Sequence, residues 1–175
     1  MRLKYSLLAI AIGLVFFANA QSVKGKLSLN GKSETTLKLE TNSVVQLFKE
    51  FKTGKYKLQF SFDGDDLPTN IYNEKIVFFE FITTIKKDGE LVKSITRKQP
   101  IPYFPGDMGI PAEAFDFVGL LAEDPQEEEE LNMIGTMPEG NYQIELAIKP
   151  IGLKGEIKPL TINFILRKRP GRSKY

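Results

Sequence analysis

The segment 137–149 contains the most regular pattern in the chain. It opens with Pro138 and Gly140, which suit a tight turn because proline presets φ and glycine tolerates positive φ. Apolar side chains then occupy every second position, at Tyr142, Ile144, Leu146 and Ile148. A period of two predicts a β-strand with one buried face. We expect this strand to take a central place in a β-sheet protein.

Other segments also carry strand patterns. Alternation predicts one-sided strands at Tyr56, Leu58, Phe60 and Phe62, and again at Leu160, Ile162, Phe164 and Leu166. A similar but shorter pattern occurs at Phe115, Phe117 and Leu121. Segment 76–85 differs because apolar residues occupy both of its faces, which predicts a strand buried on both sides.

Two dipeptides predict β-hairpins. Asn30-Gly31 and Asp88-Gly89 each stand between apolar segments, and such pairs suit two-residue turns with positive φ. For the second hairpin, a two-residue loop predicts a register that opposes Ile85 to Val92, Ile82 to Ile95, and Glu80 to Arg97.

The remaining pattern predicts one short helix. Asn42 or Ser43 can cap it, and one helical face carries Val44, Leu47, Phe48 and Phe51. With about eight strands in all, the chain is predicted to be an all-β antiparallel β-sandwich. The sequence Pro-Glu-Gly-Asn-Tyr at 138–142, which leads into the alternating strand, resembles Ig-like and fibronectin-like modules of secreted bacterial proteins.

The N-terminus has the features of a secretory signal peptide. Arg2 and Lys4 precede an apolar run at 7–17, and Ala18-Asn19-Ala20 supplies small residues for cleavage. The run is shorter than the roughly 20 residues of a spanning helix. We therefore expect a leader at 1–20 and one exported domain at 21–175, without a transmembrane segment in the mature chain. The destination is the periplasm, the outer membrane or the outside of the cell.

Composition excludes several kinds of chemistry. The chain has no Cys and no His, so disulfides, Ser-His-Asp triads, cysteine nucleophiles and ordinary zinc sites are excluded. Arg2 and Lys4 account for the whole excess of 24 basic over 22 acidic residues, so the mature chain is neutral. Because nucleic-acid binding needs a net basic surface, we expect no nucleic-acid partner.

The proline-rich segment 99–112 is the main candidate for partner binding. Its four prolines predict a long, stiff loop, because a central strand does not tolerate them. The loop carries apolar side chains that can anchor a protein partner, at Tyr103, Phe104, Met108 and Ile110. The alternative is that these side chains fold down and close the end of the sandwich.

Three charged segments are further candidates. Asp63, Asp65 and Asp66 cluster in a predicted turn and suggest a calcium loop, with a solvated turn as the alternative. Segment 123–130 is acidic. The basic tail 167–175 suggests contact with an anionic surface, through Arg167, Lys168, Arg169, Arg172 and Lys174.

These patterns favour an exported, non-catalytic binding or structural module of the bacterial cell envelope or surface. Its partner is expected to be an envelope or extracellular protein, with no cofactor apart from the calcium alternative. A second hypothesis is a small-ligand or glycan binder that uses Tyr72, Tyr103 and Phe104. A third is a secreted hydrolase based on carboxylates at Asp107, Glu113 and Asp116.

Overall fold

A computed structural model describes residues 21–38, 50–51, 53–115 and 139–166. Within these ranges the chain forms ten strands and one 3₁₀ turn, Ala112–Phe115. The strands are β1 Ser22–Leu29, β2 Glu34–Leu37, β3 Leu58–Asp65, β4 Val77–Lys87, β5 Glu90–Thr96, β6 Ile101–Tyr103, β7 Gly106–Gly109, β8 Gly140–Pro150, β9 Lys154–Lys158 and β10 Leu160–Leu166. None of the helices found in these ranges is long and apolar enough to cross a bilayer.

The strands form two mixed sheets. One has four strands in the order β7-β3-β1-β9, and the other has the order β2-β10-β8-β4-β5, with β6 also paired to β4. Most pairs are antiparallel, but β9 runs parallel to β1 and β2 runs parallel to β10. The prediction of antiparallel pairing throughout is therefore wrong. Both parallel pairs involve strands that arrive from the other sheet, so no short hairpin turn imposes an antiparallel direction.

The two sheets pack face to face through aromatic side chains. The ring of Phe79 on β4 lies 5.1 Å from Phe60 and 4.8 Å from Phe62, both on β3 and both in edge-to-face geometry. These offset arrangements are the ones that aromatic pairs prefer. The described chain is thus mostly β, and its two facing sheets are compatible with the predicted sandwich-like architecture.

The alternating strands are confirmed where the sequence pattern is cleanest. On β8, Tyr142, Ile144, Leu146 and Ile148 are all buried, and β8 lies in the middle of the larger sheet. The alternating residues of β10 are buried as well, and Phe164 stacks on Tyr142 with the rings 5.2 Å apart. Both strands therefore contribute one apolar face to the core.

The Asn30-Gly31 turn forms, but the predicted hairpin does not continue beyond it. Both residues have positive φ, and Leu29 exchanges two backbone hydrogen bonds with Lys32. Beyond that pair, β1 and β2 enter different sheets. Asn30 instead binds the segment before β3, since its Oδ1 accepts from the Lys57 N–H at 2.9 Å. The predicted turn is therefore confirmed, whereas the predicted pairing of the two flanking strands is wrong.

The second hairpin has the predicted turn but a different register. Asp88 and Gly89 have φ of 49° and 88°, as the turn requires. A bulge next to Ile85 then shifts the pairing, so that Ile85 faces Lys93 instead of Val92. Ile82 accordingly faces Thr96 instead of Ile95. Arg97, predicted opposite Glu80, donates its N–H to the Phe81 carbonyl. The extra residue lies on β5, and beyond it Ile95 faces the buried Thr83 and packs partly buried against the core.

Strand β4 is buried on one face only. Its odd-numbered residues point into the core, whereas Phe78 on the other face is half exposed. The prediction of burial on both sides is therefore wrong, because no second layer among the described residues covers this end of the strand. Phe78 becomes important for the surface described below.

Three strands lie where connections were expected. β6 and β7 occupy the proline-rich segment, and β9 occupies the connection before β10. Among the described strands β6 pairs only with β4, and it carries Pro102, which suits an edge strand because proline lacks an N–H donor. β7 pairs with β3 in the other sheet, so this segment joins the edges of both sheets.

Other predictions are tested only in part. Phe115 belongs to the 3₁₀ turn and not to a strand, while Phe117, Leu121 and the acidic segment 123–130 lie outside the described residues. The predicted helix lies outside them as well, except for Glu50 and Phe51, which are helical. The leader 1–20 and the basic tail 167–175 are likewise not described.

Candidate functional site: the apolar end of the sandwich

The structure turns most of the proposed partner-binding side chains inward. Ile110 is buried, and Tyr103 and Met108 are partly buried against the core. Tyr103 packs its ring 5.8 Å from Phe60, and burial raises the pKa of its hydroxyl. These three side chains therefore fit the alternative in which the segment folds down onto the core, while partner binding through the set stays a prediction. Phe104, which is 51% exposed, is the member of the set that faces solvent.

Phe104 lies beside other exposed apolar side chains. Pairing of β4 with β6 places Phe78 opposite Pro102, two residues before Phe104. On the other side of β4, the Ile151 N–H donates to the Phe78 carbonyl at 2.9 Å. Phe78 and Ile151 are each about half exposed. We call Phe78, Pro102, Phe104 and Ile151 the β4 patch.

The β4 patch belongs to an apolar end of the molecule. Gln21, the first described residue, lies at this end, because its carbonyl accepts from the Lys154 N–H at the start of β9. The loop that leads into β4 lies here too, and it exposes Ile71 and Tyr72. Five of the eight exposed large hydrophobic residues of the described chain are thus at one end. Exposed apolar residues are ordinary when scattered, whereas a contiguous group of them is typical of interaction sites.

Residues 69–75 form an ordered turn, which we call the Asn70 loop. The Asn70 Oδ1 accepts from the N–H groups of Tyr72, at 2.9 Å, and Glu74, at 3.0 Å. Its Nδ2 donates to the Glu74 Oε2 at 2.9 Å. Thr69 and Lys75 close the loop as a β-bridge. Asn73 has φ of 62°, a conformation that asparagine tolerates better than most residues.

The three aspartates proposed for calcium do not form a cluster. Asp63 and Asp65 belong to β3, opposite Lys24 and Ser22 of β1, and Asp66 follows the strand. The Asp63 Oδ1 accepts from the N–H of Gly64 at 2.8 Å. In the described ranges, no three acidic, histidine or cysteine side chains gather to hold a metal.

Two of the three carboxylates considered for hydrolysis lie on different elements. Asp107 lies on β7 opposite Ser61, while Glu113 lies in the 3₁₀ turn and its carbonyl accepts from the Arg97 guanidinium. Asp116 lies outside the described residues. An open groove of about 700 Å³ crosses the four-stranded sheet, lined by polar residues that include Lys24, Lys26 and Lys158. It contains none of the aromatic residues proposed for glycan binding.

Sequence reasoning missed Phe78 and Ile151 as surface residues. Phe78 was assigned to a buried face, because apolar residues occur on both sides of its strand. Ile151 follows Pro150 in what was predicted to be a connection, and nothing in its local pattern indicates that it lies next to β4. The turn residues Asn70 and Asn73 were the available signal for the ordered loop.

The chain matches no protein-family model and no curated protein sequence. The function proposed below therefore rests on the residues and their arrangement.

Proposed function

We propose that the protein is an exported, non-catalytic binding or structural module of the bacterial cell envelope, and that it engages a protein partner through the β4 patch. The observation that carries this proposal is the side-by-side placement of half-exposed Phe78, Phe104 and Ile151 on adjacent backbone segments. The finer assignment of the sandwich to the Ig-like or fibronectin-like type is part of the same proposal.

The backbone beneath the patch is well suited to binding. Phe78 lies on β4, which pairs with the shorter strand β6. Phe104 lies between β6 and β7, and β7 pairs with β3 in the other sheet. Side chains on such a support lose little conformational freedom when a partner covers them. Aromatic residues in the centre of an interface commonly supply much of the binding energy.

The composition supports the non-catalytic part of this proposal. The chain contains no His and no Cys, so the commonest general base and the thiol nucleophile are lacking. Of the acidic residues named for hydrolysis, Asp107 lies on β7 and Glu113 lies in the 3₁₀ turn, while Asp116 lies outside the described residues.

Export can be tested directly at the N-terminus. We expect mass spectrometry of the stable protein from the native cell to find a chain that begins at Gln21. A stable protein that retains Met1 contradicts export by leader cleavage.

Partner binding can be tested by placing a photo-crosslinking amino acid at Phe104. Ile165 is the matched control, because it is 47% exposed but lies near the opposite end, where β10 pairs with the start of β8. We expect a crosslinked envelope protein from position 104 and not from position 165. Equal products from both positions, or none from position 104, contradict the proposal.

The glycan-binding alternative makes a different prediction. A glycan array probed with the mature protein would then give a specific signal that is lost in Phe104→Ala. Such a result, without a crosslinked protein, replaces the proposed function with this alternative.

A further inference from the structure

Strand β5 gives the larger sheet an open edge. Among the described strands β5 pairs only with β4, and it has seven residues. The other strands at the sheet edges, β2, β6, β7 and β9, have three to five residues. Natural proteins usually keep edge strands short, because the unpaired backbone groups of such a strand can bind another strand. Of the described edges, β5 is therefore the best able to accept a further strand.

The hydrogen-bond pattern indicates which residues face this edge. The Arg97 N–H donates to the Phe81 carbonyl on β4 at 2.9 Å. In an antiparallel pair, hydrogen-bonded and non-hydrogen-bonded residues alternate along each strand. Ser94 and Thr96 are therefore the residues whose backbone N–H and C=O groups point away from β4. The Ser94 Oγ lies 2.9 Å from the Thr84 Oγ1, which agrees with this assignment because non-hydrogen-bonded pairs bring their side chains closest.

The second half of β5 is the regular part of this edge. The bulge places one extra residue between Leu91 and Lys93, so the backbone there does not continue the same ladder. From Lys93 to Thr96 the pairing with β4 is regular, and Ile95 packs partly buried against the core. The core thus holds in place the backbone that presents Ser94 and Thr96, and little conformational freedom is lost when another strand binds.

The charges along the edge indicate what kind of strand it accepts. Segment 90–98 carries three basic residues, Lys93, Arg97 and Lys98, against one acidic residue, Glu90. Two copies of this segment both carry excess positive charge and repel each other. A strand with acidic side chains is attracted, because opposite charges that face each other across a strand pair stabilise it.

We propose that an acidic, extended segment of a protein partner adds to the larger sheet as a new strand beside β5. The backbone N–H and C=O groups of Ser94 and Thr96 supply the hydrogen bonds, and Arg97 and Lys98 attract the carboxylates of the segment. This edge is a different surface from the β4 patch, and binding here does not depend on export. The failure of one test therefore leaves the other unaffected.

A labelled peptide of about eight residues that alternates Val and Glu can serve as the probe, since strands of that length are common. We expect its fluorescence anisotropy to rise when the protein is added, with binding at least about tenfold tighter than that of the matched peptide of Val and Lys. High salt should reduce this difference. Absence of binding by the acidic peptide, or equal binding by both peptides, overturns the proposal.

Hydrogen exchange tests the pairing geometry in the unaltered protein. The Ser94 and Thr96 N–H groups face the open edge, so their exchange should slow when the acidic peptide binds. The Ile95 N–H already points to β4, and its exchange should change much less. Exchange that is unchanged at Ser94 and Thr96, or that slows equally at Ile95, overturns pairing at this edge.

Two proline variants remove the proposed donors. Ser94→Pro and Thr96→Pro each lose an N–H that faces the open edge but no hydrogen bond to β4, and edge strands tolerate proline. The matched controls Ser94→Val and Thr96→Val change the side chain and keep the N–H. We expect each proline variant, and neither valine variant, to weaken peptide binding about tenfold. If the proline variants bind the peptide as tightly as the parent, or if they break up dimers of the protein, the acidic partner strand is the wrong occupant.

Discussion

Thr83 and Thr84 are adjacent on β4 but occupy opposite faces, which makes them a matched pair for testing the fold. Thr83 is 1% exposed, and its Oγ1 donates to the carbonyl of Phe115 at 2.6 Å. Thr84 lies on the outer face, where its Oγ1 is 2.9 Å from the Oγ of Ser94. Replacing each with Val exchanges a hydroxyl for a methyl group of similar size.

We expect Thr83→Val to be clearly destabilising. The variant removes the hydroxyl that donates to the Phe115 carbonyl, and removing one partner of a buried hydrogen bond costs about 1–3 kcal/mol. The same hydrogen bond links the 3₁₀ turn to the larger sheet, so its loss also loosens the packing of Phe115 against Phe81, whose rings lie 5.1 Å apart. Thr84→Val should change stability by less than about 0.5 kcal/mol, as exposed substitutions usually do.

Thr and Val both have high β-propensity, so the change in β-propensity has a similar effect on the stability of the two variants. For a chain of this size, about 1–3 kcal/mol corresponds to a Tm lower by about 2–12 °C.

Urea denaturation followed by circular dichroism measures both variants. The midpoint for Thr83→Val should fall with an unchanged m-value, which assigns the loss to stability and not to a change in compactness. If the two variants agree within about 0.5 kcal/mol, the buried hydrogen bond between β4 and the 3₁₀ turn does not have the proposed role.

Three other perturbations test the strands and their turns. Leu146→Ala should lower the stability measured by urea denaturation by about 2–5 kcal/mol, because Leu146 is fully buried in the central strand. Glu145→Gln on the outer face should change it by less than about 0.5 kcal/mol. The reverse order of effects would mean that β8 buries its other face. Gly155→Ala should cost about 1–3 kcal/mol by the same assay, since φ is 153° and the added Cβ meets the backbone of β1; an unchanged midpoint would contradict the parallel pairing of β9. Hydrogen bonds from Asn141 lower the pKa of the Asp88 carboxyl in the folded protein. The ionised carboxylate therefore stabilises the fold at pH values above the ordinary pKa of 3.8, and this stabilisation is lost as the pH falls through the lower pKa of the folded state. Asp88→Asn should therefore be less stable than the parent at pH 7 in urea denaturation, and the two stabilities should converge below about pH 3.8. A stability difference that does not change with pH would contradict a stabilising role for the Asp88 charge.

The candidate site was only partly predictable. The proline-rich segment was selected as the main candidate and Phe104 is exposed there, although β6 and β7 occupy what was predicted to be a loop. Tyr103 and Ile110 have equally apolar side chains, but they lie on the faces of their segments that meet the core. Distinguishing them required the pairing of β6 with β4 and of β7 with β3, because pairing decides which face of a short strand points inward. The four prolines of the segment do not indicate which side chains point inward.

Local patterns determined the alternating strands β8 and β10, and the composition determined which side chains, His and Cys among them, the protein lacks. The burial of alternate residues in β8 and β10 follows from the sequence alone, since successive side chains of a strand point to opposite faces wherever the strand lies. The positive φ of Asn30 and Asp88 in their turns is equally local. Only the tertiary structure decided that β9 runs parallel to β1, that a bulge shifts Ile85, and that exposed apolar residues from three connections gather at the Gln21 end. These features depend on which distant segments become neighbours, and the free energy of that choice comes from core packing between residues far apart in the chain.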